Sequence, residues 1–335
     1  MKAGLYKGAS KVKFEKVARP ILKENELLVK VNYAGICGTD MMIYSGAHPR
    51  AEAPLVLGHE FVGEVEDPGK SNYKAGKTVA INPLINCNTC QPCLLGNYHI
   101  CDNLKYLGID CPGGFAEYIA VPIDNVFELD ENINLQEGAL LEPIAVAVHT
   151  VRRSKLKVGD TVAILGAGPI GILIALLAKQ AGAEKVIITD ISSYRLGIAK
   201  GYGFQVVNAL EENVVKIIHE ETNSNGADVV FEVAGGQVTV NQMIQAIKSQ
   251  GEIMVVSVFK EAPKVNLAQM HFRELSLNTT RCFTKSDFVK AIKILSSHEI
   301  DFKQIISHIL PLEEIEKGFD IMNKSEESMK VLFKP

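Results

Sequence analysis

The sequence predicts an α/β protein in two parts: a mostly antiparallel β domain, then a doubly wound parallel-sheet domain. Three observations predict it. Before about residue 150 the apolar runs are short, alternating and separated by turn residues. After Asp160, continuous apolar runs alternate with helical segments, the pattern of strands buried on both faces. Between the first such run and the helix that follows, the chain reads GAGPIG.

The elements follow in order. In the first part, ELLVKVNYAG, EFVGEVED, KTVAINP and FAEYIAV read as strands. In the second, TVAILG, KVIITD, ADVVFEVA and GEIMVVSV read as parallel strands, with helices at GILIALLAKQAG and VTVNQMIQAIKSQ. The tail, LPLEEIEKGFDIMNKSEESMKVLFKP, reads as a short amphipathic helix and a last strand, KVLF. There is no internal repeat and no low-complexity segment.

Composition excludes several function classes. The chain has 335 residues, 47% hydrophobic and 22% charged, as in a soluble globular protein large enough for two domains. Its net charge is −4 and no basic run stands out, so a nucleic-acid partner is not expected. Thr161 to Ala178 carries no charge and has the length of a membrane span. However, Gly166, Gly168, Pro169 and Gly171 would break a helix there. A strand, a tight turn and a buried helix explain the stretch better, and no membrane partner is expected. The N-terminal MKAGLYKGAS has no apolar core of leader length. The expected compartment is the cytoplasm, where stable disulfides are rare.

Four of the seven cysteines, Cys87, Cys90, Cys93 and Cys101, fall within NCNTCQPCLLGNYHIC. Four thiolates on one compact loop can close a tetrahedron around Zn²⁺ and leave no open position, so the expected role is structural. A redox CxxC is expected at a helix start beside a βαβ unit, whereas Pro83, Asn86, Asn88, Pro92, Gly96 and Asn97 make these surroundings turn-like. An iron–sulfur cluster ranks below zinc because the fourth cysteine is not at ferredoxin spacing.

The stretch Gly166-Ala167-Gly168-Pro169-Ile170-Gly171 fits G-x-G-x-x-G, with a strand before it and an apolar helix after it. The first glycine allows the turn, the second lets backbone approach a pyrophosphate, and the third lets helix and strand pack closely. Asp190 closes the next strand, where a carboxylate can bind ribose hydroxyls and repel a 2′-phosphate, which favours NAD over NADP. Arg195, five residues on, works against that preference. The alternative is a glycine turn and a capping aspartate in a domain that binds no dinucleotide.

Cys37 in GICGTD, His59 and Glu60 in GHEF, and Glu142 in LLEPIAVAVHT form a second set. A catalytic zinc needs about three protein ligands and an open position, which this set could provide. Taken singly, the same residues read as a buried thiol, a strand-edge charge and a helix cap. The residues alone leave both readings open.

Together, GICGTD, GHEFVGEV, the four-cysteine lobe, GGFAEY, LLEPIAVAVHT, GAGPIG and ISHILPLEEIEKGF resemble the zinc-dependent medium-chain dehydrogenase/reductase family of alcohol dehydrogenases, in family order from about residue 30 to the C-terminus. Glu60 and the LEP around Glu142 resemble its polyol branch, the sorbitol (L-iditol) dehydrogenases, with L-threonine and 2,3-butanediol dehydrogenases as neighbours. The resemblance implies a GroES-like catalytic domain over residues 1–144 with a structural zinc lobe at 86–101. It implies a Rossmann NAD-binding domain over 145–281 and a return segment, 282–335, that completes the first domain. It places Cys37, His59 and Glu60 on a catalytic zinc, with Glu142 approaching directly or through water. Thr39 would pass the alcohol proton outward. Asp190, Arg195, Val256, Ser257, Val258 and Arg281 would contact NAD, and Tyr44, Glu142 and Arg281 the substrate.

The implied activity is oxidation of a secondary alcohol of a polyol or small diol to a ketone, with NAD⁺ taking the hydride and zinc as Lewis acid. L-Threonine 3-dehydrogenase and 2,3-butanediol dehydrogenase are the alternatives within the family. A non-catalytic NAD-binding protein that kept the fold, or a zinc-ribbon interaction module, are those outside it. The chain departs from sorbitol dehydrogenases where they read SDVHYW and it reads TDMMIY: Met42 stands for a histidine and Ile43 for a substrate-contacting tyrosine. Cys282 likewise replaces a tyrosine. The resemblance also implies a homo-oligomer, a tetramer or a dimer.

Overall fold

The computed structural model describes residues 1–324 and 327–335. Two compact units emerge, Met1–Ala145 with Thr284–Pro335, and Val146–Phe283.

In the first unit a seven-stranded sheet is centred on Glu26–Gly35. That strand is antiparallel to Glu60–Asp67, Tyr118–Pro122 and Lys330–Lys334. It is buried along most of its length because neighbours cover it, and its apolar residues therefore run almost without a break. The final strand, Lys330–Lys334, pairs with it on one side and runs parallel to Ile306–Pro311 on the other. The C-terminal segment thus returns to the sheet begun near the N-terminus. Phe115, Phe319 and Phe333 fill the space beside the sheet, with Phe115 edge-on to the other two at 6.3 and 5.2 Å.

The second unit has a six-stranded, all-parallel sheet. Across it the strands run Gln205–Asn208, Lys185–Asp190, Thr161–Leu165, Ala227–Glu232, Ile247–Val255, Ser276–Thr279. The first strand in sequence is central and the order reverses beside it, which is the dinucleotide-binding topology. Ala163, Leu165, Ile187, Val230 and Ile253 form the sheet's share of a core closed by helical residues such as Ile218, Val240 and Ile244. The uncharged run is strand Thr161–Leu165, a turn, and helix Pro169–Gln180. No described helix is long and apolar enough to cross a membrane.

Several elements differ from the sequence reading. The two edge strands were not anticipated: QVVN and SLNT are four residues each and half-exposed, so they carry little periodic signal. The helix read as VTVNQMIQAIKSQ ends at Ala246, and Ile247 to Gln250 already belong to the next strand. There Ile247 pairs with Ala227, so sheet pairing overrides helical pattern. Helices Ser193–Gly201 and Val214–Glu221 also stand outside the helices read from the sequence, although Ser192 and Asn213 cap them from their side chains.

Candidate active site

Cys37 and Glu60 stand at the ends of elements, and His59 directly precedes one. Cys37 precedes the short helix Gly38–Tyr44, and its backbone N–H donates to Asp40 Oδ2 at 2.8 Å. His59 follows Gly58, whose φ of +94° turns the chain into strand Glu60–Asp67. Tyr106 packs edge-on to the His59 ring at 5.5 Å. One possible ligand atom from each of Cys37, His59 and Glu60 lies within 4.8 Å of the others. Glu142, second residue of helix Leu141–Arg153, is buried but outside that group, and accepts the Tyr106 hydroxyl at 2.9 Å.

Two charged residues behind this group went unnoticed in the sequence. Asp40 is fully buried, with Oδ1 3.7 Å from His59 Nδ1. Lys330, first residue of the last strand, is also buried and donates to both oxygens of Glu60, at 2.8 and 2.5 Å, and to the Ile36 carbonyl at 3.1 Å. The GTD motif sets Asp40 three residues after Cys37 and could have flagged it. Lys330 lies 270 residues from Glu60 and has no local signal.

The charges are uneven. Burial raises the Asp40 carboxyl above its usual range, and burial brings Glu142 up to about 7 with Glu60 adding to it. Burial opposes charge on His59, but Asp40 and the Cys37 thiolate prevail and hold its pKa well above the ordinary value. Lys330 follows the same balance: burial opposes its charge, and Glu60 with Cys37 outweighs it. A divalent cation fits this donor set. It would be met by a thiolate, an imidazole and a carboxylate, a set suited to zinc. His59 Nδ1 and Asp40 Oδ1 are buried and unpaired across their 3.7 Å gap, and an imidazole ligating through Nε2 would need such a carboxylate behind it.

The four-cysteine lobe is more regular. All four sulfurs lie within 4.8 Å of one another, with Cys87 and Cys101 at 3.4 Å and Cys90 and Cys101 at 3.7 Å. A tetrahedron with Zn–S bonds of about 2.3 Å has edges of about 3.8 Å. A disulfide would require about 2.05 Å. Backbone N–H groups of Cys87, Cys90 and Asn103 point at the sulfurs at 3.3 to 3.4 Å, as thiolates require. The surroundings are less turn-like than expected, since Cys90 caps a short helix, Gln91–Leu94.

In the second unit the predicted cofactor residues gather at the carboxyl edge of the parallel sheet. Gly166 has φ +118°, and a Cβ on Gly171 would lie 1.9 Å from the Gly166 carbonyl oxygen. These two glycines are therefore required for the turn and for helix–strand packing. A Cβ on Gly168 would meet only Arg195 Nη1, at 3.8 Å, which leaves the turn open above it. Pro169 and Ile170 begin the helix. Asp190 Oδ2 accepts the Ala167 N–H at 2.7 Å, and Oδ1 accepts those of Ile191 and Ser192. The acid thus anchors the glycine turn.

Val256 and Ser257 follow the fifth strand, and both donate backbone N–H to the Glu232 carbonyl. The Ser257 hydroxyl donates to the buried Glu232 carboxylate. Val258 is exposed, as is Arg281 beyond the sixth strand. Thr39 is half-buried two residues after Cys37. Tyr44 turns its ring onto Phe319 at 5.1 Å, a packing contact.

Comparison with known proteins shows the family. The family model described as alcohol dehydrogenase GroES-like domain matches residues 23–131, and that described as zinc-binding dehydrogenase matches residues 169–297. The 2-dehydro-3-deoxy-L-galactonate 5-dehydrogenase of Pseudoalteromonas atlantica is 39% identical over 310 residues, 92% of this chain and 91% of the relative. The L-threonine 3-dehydrogenase of Bacillus subtilis is 36% identical, over 97% of this chain and 96% of that one. The crystal structure of 2R,3R-butanediol dehydrogenase from Bacillus subtilis superposes with a TM-score of 0.92 at 30% identity, covering 100% of this chain and 99% of that one. The chain is an oxidoreductase and belongs to the zinc-binding dehydrogenases of the alcohol dehydrogenase type, with a GroES-like domain and a Rossmann domain.

Proposed function

We propose that this dehydrogenase oxidises the secondary alcohol of a small polyhydroxylated compound to a ketone, with NAD⁺ as acceptor. Sugar acids come first among the substrates, then polyols and small diols. The observation that carries the reading is the group formed by Cys37, His59 and Glu60, backed by Asp40. Three relatives support the substrate class. Their named substrates, a deoxy sugar acid, L-threonine and 2R,3R-butanediol, each present a secondary alcohol next to a carbon bearing oxygen or nitrogen. L-Threonine is the second reading, supported by the matching relative.

On this reading Cys37, His59 and Glu60 hold zinc, and Cys87, Cys90, Cys93 and Cys101 hold a second, structural zinc. When bound, the catalytic zinc supplies a Lewis acid that eases loss of the alcohol proton. Asp40 orients the His59 ring, Thr39 takes the proton outward, and Glu142 carries a polar contact from Tyr106. The turn from Gly166 to Gly171 takes the pyrophosphate on backbone N–H groups at the start of a twelve-residue helix. Asp190 selects NAD⁺. The alcohol gives up one proton and one hydride, and the products are a ketone and NADH.

The test is NADH formation by the zinc-loaded enzyme against aldonates and deoxy sugar acids, polyols, 2,3-butanediols and L-threonine. Turnover of a polyhydroxylated acid or polyol above L-threonine supports the first reading. L-Threonine turnover alone moves the assignment to the second, and no turnover of any with two zinc ions bound overturns both.

A further inference from the structure

We infer that Lys330 is a positioning residue that shares the Glu60 carboxylate with the metal and thereby sets how tightly the catalytic site holds zinc. The inference rests on the proposal that Cys37, His59 and Glu60 form that site.

The geometry is unusual for a lysine. Its side chain is 4% exposed and that of Glu60 is 1% exposed. Its ammonium reaches three acceptors: both Glu60 oxygens and the Ile36 carbonyl, one residue before Cys37. An ammonium has three N–H donors, and here all three are used. A buried ion pair carries a large desolvation cost, and apolar side chains of similar volume commonly do as well or better for stability. Stability alone is therefore a poor reason for a charge here.

The pair has a direct consequence for a metal. With each oxygen already accepting from the ammonium, Glu60 can offer a cation only the second lone pair of either oxygen, on a carboxylate whose charge is already partly neutralised. The competition is for lone pairs and not for net charge: a divalent ion with the Cys37 thiolate and Glu60 sums to zero, and the positive charge of Lys330 is matched by the buried Asp40 carboxylate behind His59. The lysine thus competes with the metal for the same carboxylate. It also comes from the C-terminal strand, Lys330–Lys334, so the returning segment reaches Glu60 through this side chain. The space around the pair is tailored: a Cβ on Gly35 would stand 2.7 Å from Glu60 Oε2 and 3.3 Å from Lys330 Cδ.

The sign of the effect separates this role from ordinary support. Removing a partner that merely holds a ligand in place lowers metal affinity, typically about 10–100-fold. Removing a competitor raises it.

The experiment measures zinc release from the holoenzyme to a chromophoric chelator, with zinc stoichiometry before and after. The four-cysteine lobe serves as internal control in wild type, Lys330→Met and Lys330→Arg. Release from the Cys37/His59/Glu60 site should be about tenfold slower in Lys330→Met, with lobe zinc unchanged. Arginine offers a fork matched to both carboxylate oxygens, so Lys330→Arg should release about threefold faster than wild type. Release from folded Lys330→Met that is unchanged or faster overturns the inference. If Lys330→Met does not fold, the arginine variant decides: faster release supports the competition, and equal or slower release overturns it. A wild-type enzyme that binds only the lobe zinc would instead overturn the proposed metal site itself, and the inference with it.

Discussion

Gly35→Ala places the packing against Glu60 in the candidate metal site under test. Alanine in place of glycine in an unconstrained strand stabilises by about 0.4–1 kcal/mol, because the unfolded chain loses freedom. At Gly35 the opposite should hold. The residue pairs with Glu60 on one side and Leu332 on the other. An added Cβ would lie 2.7 Å from Glu60 Oε2 and 3.3 Å from Leu332 Cδ2. Ordinary contact at a Cβ begins at about 3.4 Å, so the carboxylate must retreat by roughly 0.7 Å in a well-packed interior. It is not free to do so, because Lys330 holds both its oxygens. Overpacking of this kind costs about 1–3 kcal/mol. For a unit of about 200 residues that lowers Tm by roughly 2–12 °C. Calorimetry on zinc-free and zinc-loaded protein provides the assay, with a larger deficit expected in the loaded form because Glu60 is displaced from its place beside Cys37 and His59. A Gly35→Ala protein with unchanged or higher Tm in both forms would refute the reasoning.

Glu60→Ala should lower zinc content and activity together, whereas Glu142→Gln should keep most of the metal and the Tyr106 contact but slow turnover; the reverse pattern in metal analysis and kcat would exchange their roles. Cys90→Ser should lose one zinc per chain and lower Tm, with activity falling only as folded protein is lost, as thermal melts and residual rates would reveal. Asp190→Ala should weaken NAD⁺ binding and narrow the preference over NADP⁺ by about tenfold in kcat/KM, because the variant loses both the repulsion of a 2′-phosphate and the bond to Ala167; an unchanged ratio would deny the selectivity. Gly171→Ala should abolish measurable NADH binding in a fluorescence titration, since its Cβ would overlap the Gly166 carbonyl at 1.9 Å.

Much of this protein was legible in one dimension because the responsible interactions are local. The lobe cysteines lie close enough in sequence for one loop to gather their sulfurs, and the structure brings all four within 4.8 Å of one another. The glycine turn was legible for the same reason. Gly166 must adopt positive φ and Gly171 must lack a Cβ within six residues of chain. Central parallel strands such as TVAIL and KVIITD declared themselves through continuous apolar runs, because burial on both faces acts on each residue separately. The edge strands QVVN and SLNT did not, because hydrogen bonding to a neighbour defines them more than burial does.

Other features were decided only by the tertiary structure. Cys37, His59 and Glu60 were named from motifs, but their approach depends on the antiparallel pairing of Glu26–Gly35 with Glu60–Asp67, which sets Gly35 opposite Glu60. The GTD motif marks Asp40, but its place behind His59, like the lysine on Glu60, is visible only once the chain is folded. Lys330 begins an apolar strand that pattern alone marks as core, with the charge unexplained. Its meaning comes from the return of the C-terminal segment to the N-terminal sheet, which carries an ammonium across 270 positions of sequence to the Glu60 carboxylate. Local propensity and hydropathy carry no information about such a pairing. Burial of opposite charges does, and it exists only after the sheet has closed.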